Sequence, residues 1–143
     1  MRLKSHRVRV AAPRELVFEV VSSAGKEVGE AGHEKLIEFE TTWRGQVYRT
    51  VEAVALYPPD RIAYRWTEGP LSDVEEEIHF GELGPRETEM SYRGSFKAAP
   101  GFIGWLRSFT VVRSIFNGSV REHLEEAKRL SEQRASRSSI YPS

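Results

Sequence analysis

Apolar residues recur along most of this chain with a period of two, and near its end the period becomes that of a helix. Arg2–Val10 alternates, with His6, Val8 and Val10 on one face and Ser5, Arg7 and Arg9 on the other. That is the pattern of a half-buried strand. Ala12-Pro13 stops it, and Pro13 suits the first turn of a helix, where its missing N–H costs nothing. Leu16, Val17, Val20 and Val21 then fall at helical spacing, which predicts a short helix over Arg14–Ser22. Ser22–Gly32 holds three glycines and reads as a loop. Strand patterns follow in series. Glu34–Trp43 aligns Lys35, Ile37, Phe39 and Thr41, and Gln46–Tyr57 aligns Val47, Val51, Ala53 and Ala55 with Arg49 among them. After Pro58-Pro59-Asp60, Arg61–Thr67 sets Ile62, Tyr64 and Trp66 on one face. Ser72–Phe80 aligns Val74, Glu76, Ile78 and Phe80, and Glu87–Lys97 aligns Thr88, Met90, Tyr92, Gly94 and Phe96. Arg44-Gly45, Glu68-Gly69-Pro70 and Gly84-Pro85-Arg86 supply the turns. Strands joined by such short links predict an antiparallel meander with one apolar face.

From Phe102 the stripe Trp105, Phe109, Val112, Phe116, Val120, Leu124, Ala127 and Leu130 marks an amphipathic helix. As one piece, Phe102–Gln133 would span about 48 Å at roughly 1.5 Å per residue. A compact chain of this length has a diameter of roughly 37 Å. That mismatch predicts a bend or break near Asn117-Gly118, or a separate first turn over Phe102–Leu106, with Gly118 allowing helix and sheet to approach closely. An apolar sheet face needs a cover, and this helix is the element large enough to provide it. Residues 1–135 read as one domain, and 136–143 as a flexible C-terminal tail.

Composition narrows the picture mostly by exclusion. The chain has 143 residues, 39% hydrophobic and 29% charged, with 21 basic and 21 acidic side chains and a formal net charge of zero. That balance gives no reason to expect a nucleic-acid partner. No cysteine is present, which removes disulfides, thiolate chemistry and Cys-based metal sites. His6, His33, His79 and His123 have no metal-ligand spacing, so neither a metal nor a cofactor is expected. Gly25-Lys26 lacks the spacing of a phosphate loop. No run reaches the ~18 apolar residues of a membrane span. With no signal-peptide pattern, the cytoplasm is the expected compartment.

Three segments carry a family resemblance. The opening Val8-Arg9-Val10-Ala11-Ala12-Pro13-Arg14-Glu15-Leu16-Val17-Phe18, the hairpin Tyr57-Pro58-Pro59-Asp60-Arg61-Ile62, and Pro100-Gly101 before a helix closing in Glu125-Glu126-Ala127-Lys128 resemble the START-like, polyketide cyclase/dehydrase-like (SRPBCC) superfamily. The resemblance spans nearly the whole chain. It implies an α+β helix-grip fold: a curved antiparallel sheet of six to seven strands wrapped around a long C-terminal helix, with a short helix after strand 1. Six strands are visible in the pattern, and the short Gly-rich Ser22–Gly32 departs from the superfamily's usual second helix. The resemblance also implies a small hydrophobic or amphipathic ligand, such as a lipid, quinone or polyketide, held between sheet and helix. It transfers no catalytic motif.

The candidate site follows from phase. Tyr64 and Trp66 are large apolar side chains with polar tips that seek partners. Glu76 is in phase with Val74 and Ile78, and a buried carboxylate needs a partner or a proton. Arg49 is the expected partner. Met90, Tyr92, Phe96, Trp105, Phe109 and Phe116 complete the predicted walls, and Arg107 and Arg113 would flank the helix. Ligand binding is the leading reading. An aromatase/cyclase-like enzyme with Glu76, Tyr92 or Tyr64 as its acid or base is the second, and a protein-interaction module the third.

Overall fold

In the computed structural model the residues described are 5–43, 45–68, 73–96 and 102–140, without the side chains of 41–43, 46, 102–117 and 138–140. Seven strands and two helices follow in the order β1 (His6–Val10), α1 (Arg14–Ser22), β2 (Lys26–Ala31), β3 (Glu34–Trp43), β4 (Gln46–Tyr57), β5 (Arg61–Glu68), β6 (Glu75–Gly84), β7 (Glu87–Ser95) and α2 (Phe102–Ile140). They form one antiparallel sheet, β1-β7-β6-β5-β4-β3-β2. This is the α+β helix-grip architecture expected from the pattern and the resemblance.

The strand missing from the sequence reading is β2, which lies inside the segment read as a loop. Its residues are nearly all exposed, so it carries no apolar face for periodicity to detect. It forms because a tight turn at Gly32-His33 folds it back onto β3. Gly32 has φ +64° and His33 does not share the positive φ, the signature of a type II′ hairpin turn. Gly25 is needed for a different reason. Its φ is +83°, and an added Cβ would lie 2.5 Å from Ile37 Cγ2 and 2.8 Å from Phe39 Cε1. The chain thus enters β2 pressed against the inner wall.

Helix α2 has neither the break nor the separate first turn that its length suggested. It runs without interruption through Asn117-Gly118 and continues past Gln133 to Ile140. Its 39 residues have a length along the axis of about 58 Å. Glycine weakens a helix by only about 1 kcal/mol and, unlike proline, keeps its N–H. Gly118 serves no close approach to the described residues, since a Cβ there would meet none of them within 4 Å.

Among the described side chains of α2, Val120, Leu124, Ser131 and Ala135 are buried, with Ala127 packed beside them. Three hydrogen bonds tie this corner together. Ala11 N–H donates to Glu132 Oε2 at 2.9 Å, Arg86 Nη2 to the Ala135 carbonyl at 3.1 Å, and Thr88 Oγ1 to the Ala12 carbonyl at 2.7 Å. Helix α1 contributes Val17, Phe18, Val20 and Val21, and Phe18 meets Phe80 edge-on at 5.4 Å. The core therefore lies between the sheet's inner face and the helices. Among the described residues no helix is long and apolar enough to cross a membrane.

Candidate functional site

Cross-strand pairing fixes which side chains face the interior. The hairpin after β4 pairs Tyr57 with Arg61, so Leu56 lies opposite Ile62, Val54 opposite Tyr64 and Glu52 opposite Trp66. Residues paired across a sheet share a face. The interior face of β4 is therefore Thr50, Glu52, Val54 and Leu56, not the set containing Val47, Val51, Ala53 and Ala55. Both sets look apolar in the sequence because alanines alternate with larger residues. Arg49 goes with the outer set. Its guanidinium donates to Glu38 Oε1 at 2.9 Å, and its side chain is 67% exposed. The expected Arg49–Glu76 pair does not exist, and Arg49 is not part of the interior.

Glu76 does face inward, and two donors reach it diagonally. Trp66 Nε1–H donates to Glu76 Oε1 at 2.7 Å. The Tyr92 hydroxyl donates to Glu76 Oε2. Neither residue is the direct cross-strand neighbour of Glu76; those are Tyr64 on β5 and Gly94 on β7. Gly94 has no side chain, which leaves room for Tyr92 to lean across. On the other side, β5 carries a bulge where Val51 and Glu52 meet Glu68 and Trp66. Thr67 Oγ1 donates to the Val51 carbonyl there at 3.0 Å, which occupies a carbonyl at the break in the ladder. A bulge re-aims nearby side chains, here beside Trp66.

Glu52 is the residue the sequence reading missed. It is 6% exposed, and Thr50 Oγ1 donates to its Oε2 at 2.9 Å. Burial, and then the nearby charge of Glu76, push its carboxyl from 4.5 up to about 8, against the pull of Thr50 and Trp66. Burial pushes the Glu76 carboxyl up as well, opposed by the hydrogen bonds from Tyr92 and Trp66. The Tyr64 and Tyr92 phenols are pushed upward by burial and by the same carboxylates, so both stay protonated at ordinary pH. The wall thus holds two coupled carboxyls. Glu76 has two donors aimed at it, whereas Glu52 has one hydroxyl and a share of the indole. The geometry favours the charge on Glu76 and the proton on Glu52.

The remaining predicted residues divide. Tyr64 lies on this wall, edge-on to Phe39 at 6.1 Å. Met90 and Phe96 face inward and are buried, at 0% and 3% exposure. Trp105, Phe109 and Phe116 lie outside the described side chains. A groove of about 740 Å³ is floored by Ala53, Ala55 and Ala63, rimmed by Arg65, Glu77 and Arg93, and bordered by Tyr64 and Glu76 as well. Among the described residues no group of three His, Asp or Glu is placed to hold a metal ion.

Solved structures share this arrangement of sheet and helix. TTHA0849 from Thermus thermophilus superposes with a TM-score of 0.76 at 15% identity, over 90% of this chain and 95% of that one. The Zhui aromatase/cyclase from Streptomyces sp. R1128 gives 0.70 at 17% identity, over 99% and 96%. The fold is START-like. A START superfamily protein from Mycobacterium smegmatis matches as well, with a TM-score of 0.62 at 22% identity, over 96% and 99%. No protein-family model and no curated protein sequence matches the chain. At these identities the START-like likeness is one of fold, covering nearly the whole of each chain.

Proposed function

We propose that this protein binds a small amphipathic molecule between the inner face of its sheet and helix α2. The observation that carries this reading is the Glu52–Glu76 pair with Trp66 and Tyr92. A packed core gains little from two coupled carboxyls, because desolvating charge is costly. Binding sites are mostly apolar with a few converging polar groups, and this wall has that composition: Phe39, Val54 and Tyr64 around the two carboxyls. The START-like fold supports the reading, since its structural neighbours include an aromatase/cyclase.

The neutral fluorophore N-phenyl-1-naphthylamine tests it. One saturable site per chain is expected, weakened when Trp66 or Tyr64 is changed to alanine. Fluorescence that rises without saturation, or unaltered binding in both variants, overturns the reading.

A second reading has its own observation. A carboxyl near 8 beside an ionised partner is matched to proton transfer at neutral pH. In it Glu52 is the acid and Glu76 the base, for enolisation or dehydration of a ketone-bearing ligand. Deuterium wash-in at the α-carbon of 2-tetralone, lost in both Glu52→Gln and Glu76→Gln, is the expected result. Wash-in at the buffer rate with the wild-type protein refutes it.

A further inference from the structure

The sheet sorts its charges by face. Arg7, Arg9, Arg49, Arg61, Arg65 and Arg93 all belong to the outward phase of their strands. Lys35 shares the inward phase, but at the end of β3, where it is exposed. Glu52 and Glu76 point inward, with no buried lysine or arginine beside them among the described residues. A buried carboxylate is ordinarily paired with a cation or loses its charge. Among the described residues of the strands, the arginines sit on the far face of the sheet.

The surroundings of the two carboxyls add a second, independent feature. Trp66, Tyr64, Tyr92 and Phe39 share their wall. Aromatic faces attract ammonium groups, most strongly when the cation is desolvated. Glu52 is 6% exposed, and Thr50 occupies part of its accepting capacity. A carboxylate offers about four lone-pair sites. The indole N–H of Trp66 donates to Glu76 at 2.7 Å and is shared in part with Glu52. Among the described residues the wall therefore combines two carboxyls with aromatic side chains and has no lysine or arginine beside them.

We infer that the interior site takes a ligand whose polar end is a protonated amine and disfavours carboxylates of the same shape. This rests on the interior-binding reading above. The ammonium supplies the missing counter-charge, donates to Glu76 and Glu52, and lies against the aromatic rings. A carboxylate in the same place faces two carboxyls at close range.

The test uses the full chain at pH 7.5 and displacement of N-phenyl-1-naphthylamine by decylamine, decanol and decanoate, each below its micelle concentration. Decylamine is expected to displace the probe at a concentration at least tenfold lower than decanoate, with decanol between them. In the Glu52→Gln/Glu76→Gln double variant the decylamine-to-decanol ratio is expected to collapse toward one. The single variant Glu52→Gln, which keeps the charge on Glu76, should retain part of the preference and serves if the double variant does not fold. Decanoate binding as well as decylamine overturns the inference. An amine preference that survives in the variants overturns it too. Absence of any saturable probe binding to the wild-type chain is a separate outcome, which removes the interior site and the inference together.

Discussion

Replacing Glu52 with glutamine tests the buried carboxyl pair directly. Folding moves this carboxyl from 4.5 to about 8. The folded form therefore holds the proton more tightly than the unfolded form. The resulting stabilisation is complete below about 4.5 and is lost as pH climbs through 8. At about 1.4 kcal/mol per tenfold change in proton affinity, the full span corresponds to roughly 5 kcal/mol. Part of that belongs to the interaction with Glu76, so about 3–5 kcal/mol is the working range, a large share of the roughly 5–15 kcal/mol that holds a typical domain together. Glutamine keeps the volume and can still accept from Thr50 Oγ1, but it does not titrate. Urea midpoints followed by tryptophan fluorescence from pH 5 to pH 9 give the comparison. Wild-type stability should fall by about 3–5 kcal/mol more than that of Glu52→Gln over this range. Parallel curves for the two proteins would refute the placement of an uncharged Glu52 in the interior.

Three further substitutions probe the wall and its supports. Tyr92→Phe removes one of the two donors to Glu76 and should cost about 1.5–3 kcal/mol wherever Glu76 is ionised, with a smaller loss in acid, seen in the same urea series. Gly25→Ala should destabilise by about 1–3 kcal/mol, since the new Cβ would press on Ile37 and Phe39 at a left-handed backbone position. Gly118→Ala should do the reverse, gaining about 0.5–1 kcal/mol of helix stability in open space, read as a higher melting temperature by circular dichroism.

Much of the architecture was legible from periodicity, because β1, β5, β6 and β7 each bury one face and expose the other. Their inward residues were read in the right phase, including Glu76 and Tyr92. Two failures had one physical origin, which is that a single strand's pattern does not report its neighbours. β4 carries small or apolar residues on both faces, so its own alternation was ambiguous, and Arg49 was placed inside. The signal that resolves it was present in the Tyr57–Arg61 hairpin, whose register carries the inward phase of Ile62, Tyr64 and Trp66 onto Leu56, Val54 and Glu52. β2 is charged at Lys26, Glu27 and Glu30 and offers no apolar stripe. The Gly32-His33 turn was its one local sign. The break expected in α2 came from supposing that a helix must fit within the domain it covers.

The edge position of β2 has a kinetic consequence. It is held by a single ladder, to β3, with its register shifted between Glu27 and Gly29. Its residues are nearly all exposed, so detaching it uncovers little apolar area. Such a segment opens by itself at a small fraction of the global unfolding free energy. Its amide protons should exchange with solvent long before those of β5 and β6. When it lifts, Gly25 leaves its contact with Ile37 and Phe39, the side chains beside Glu52 and Tyr64. Detachment of this strand would therefore uncover Ile37 and Phe39 while the ladders of the other six strands stay paired.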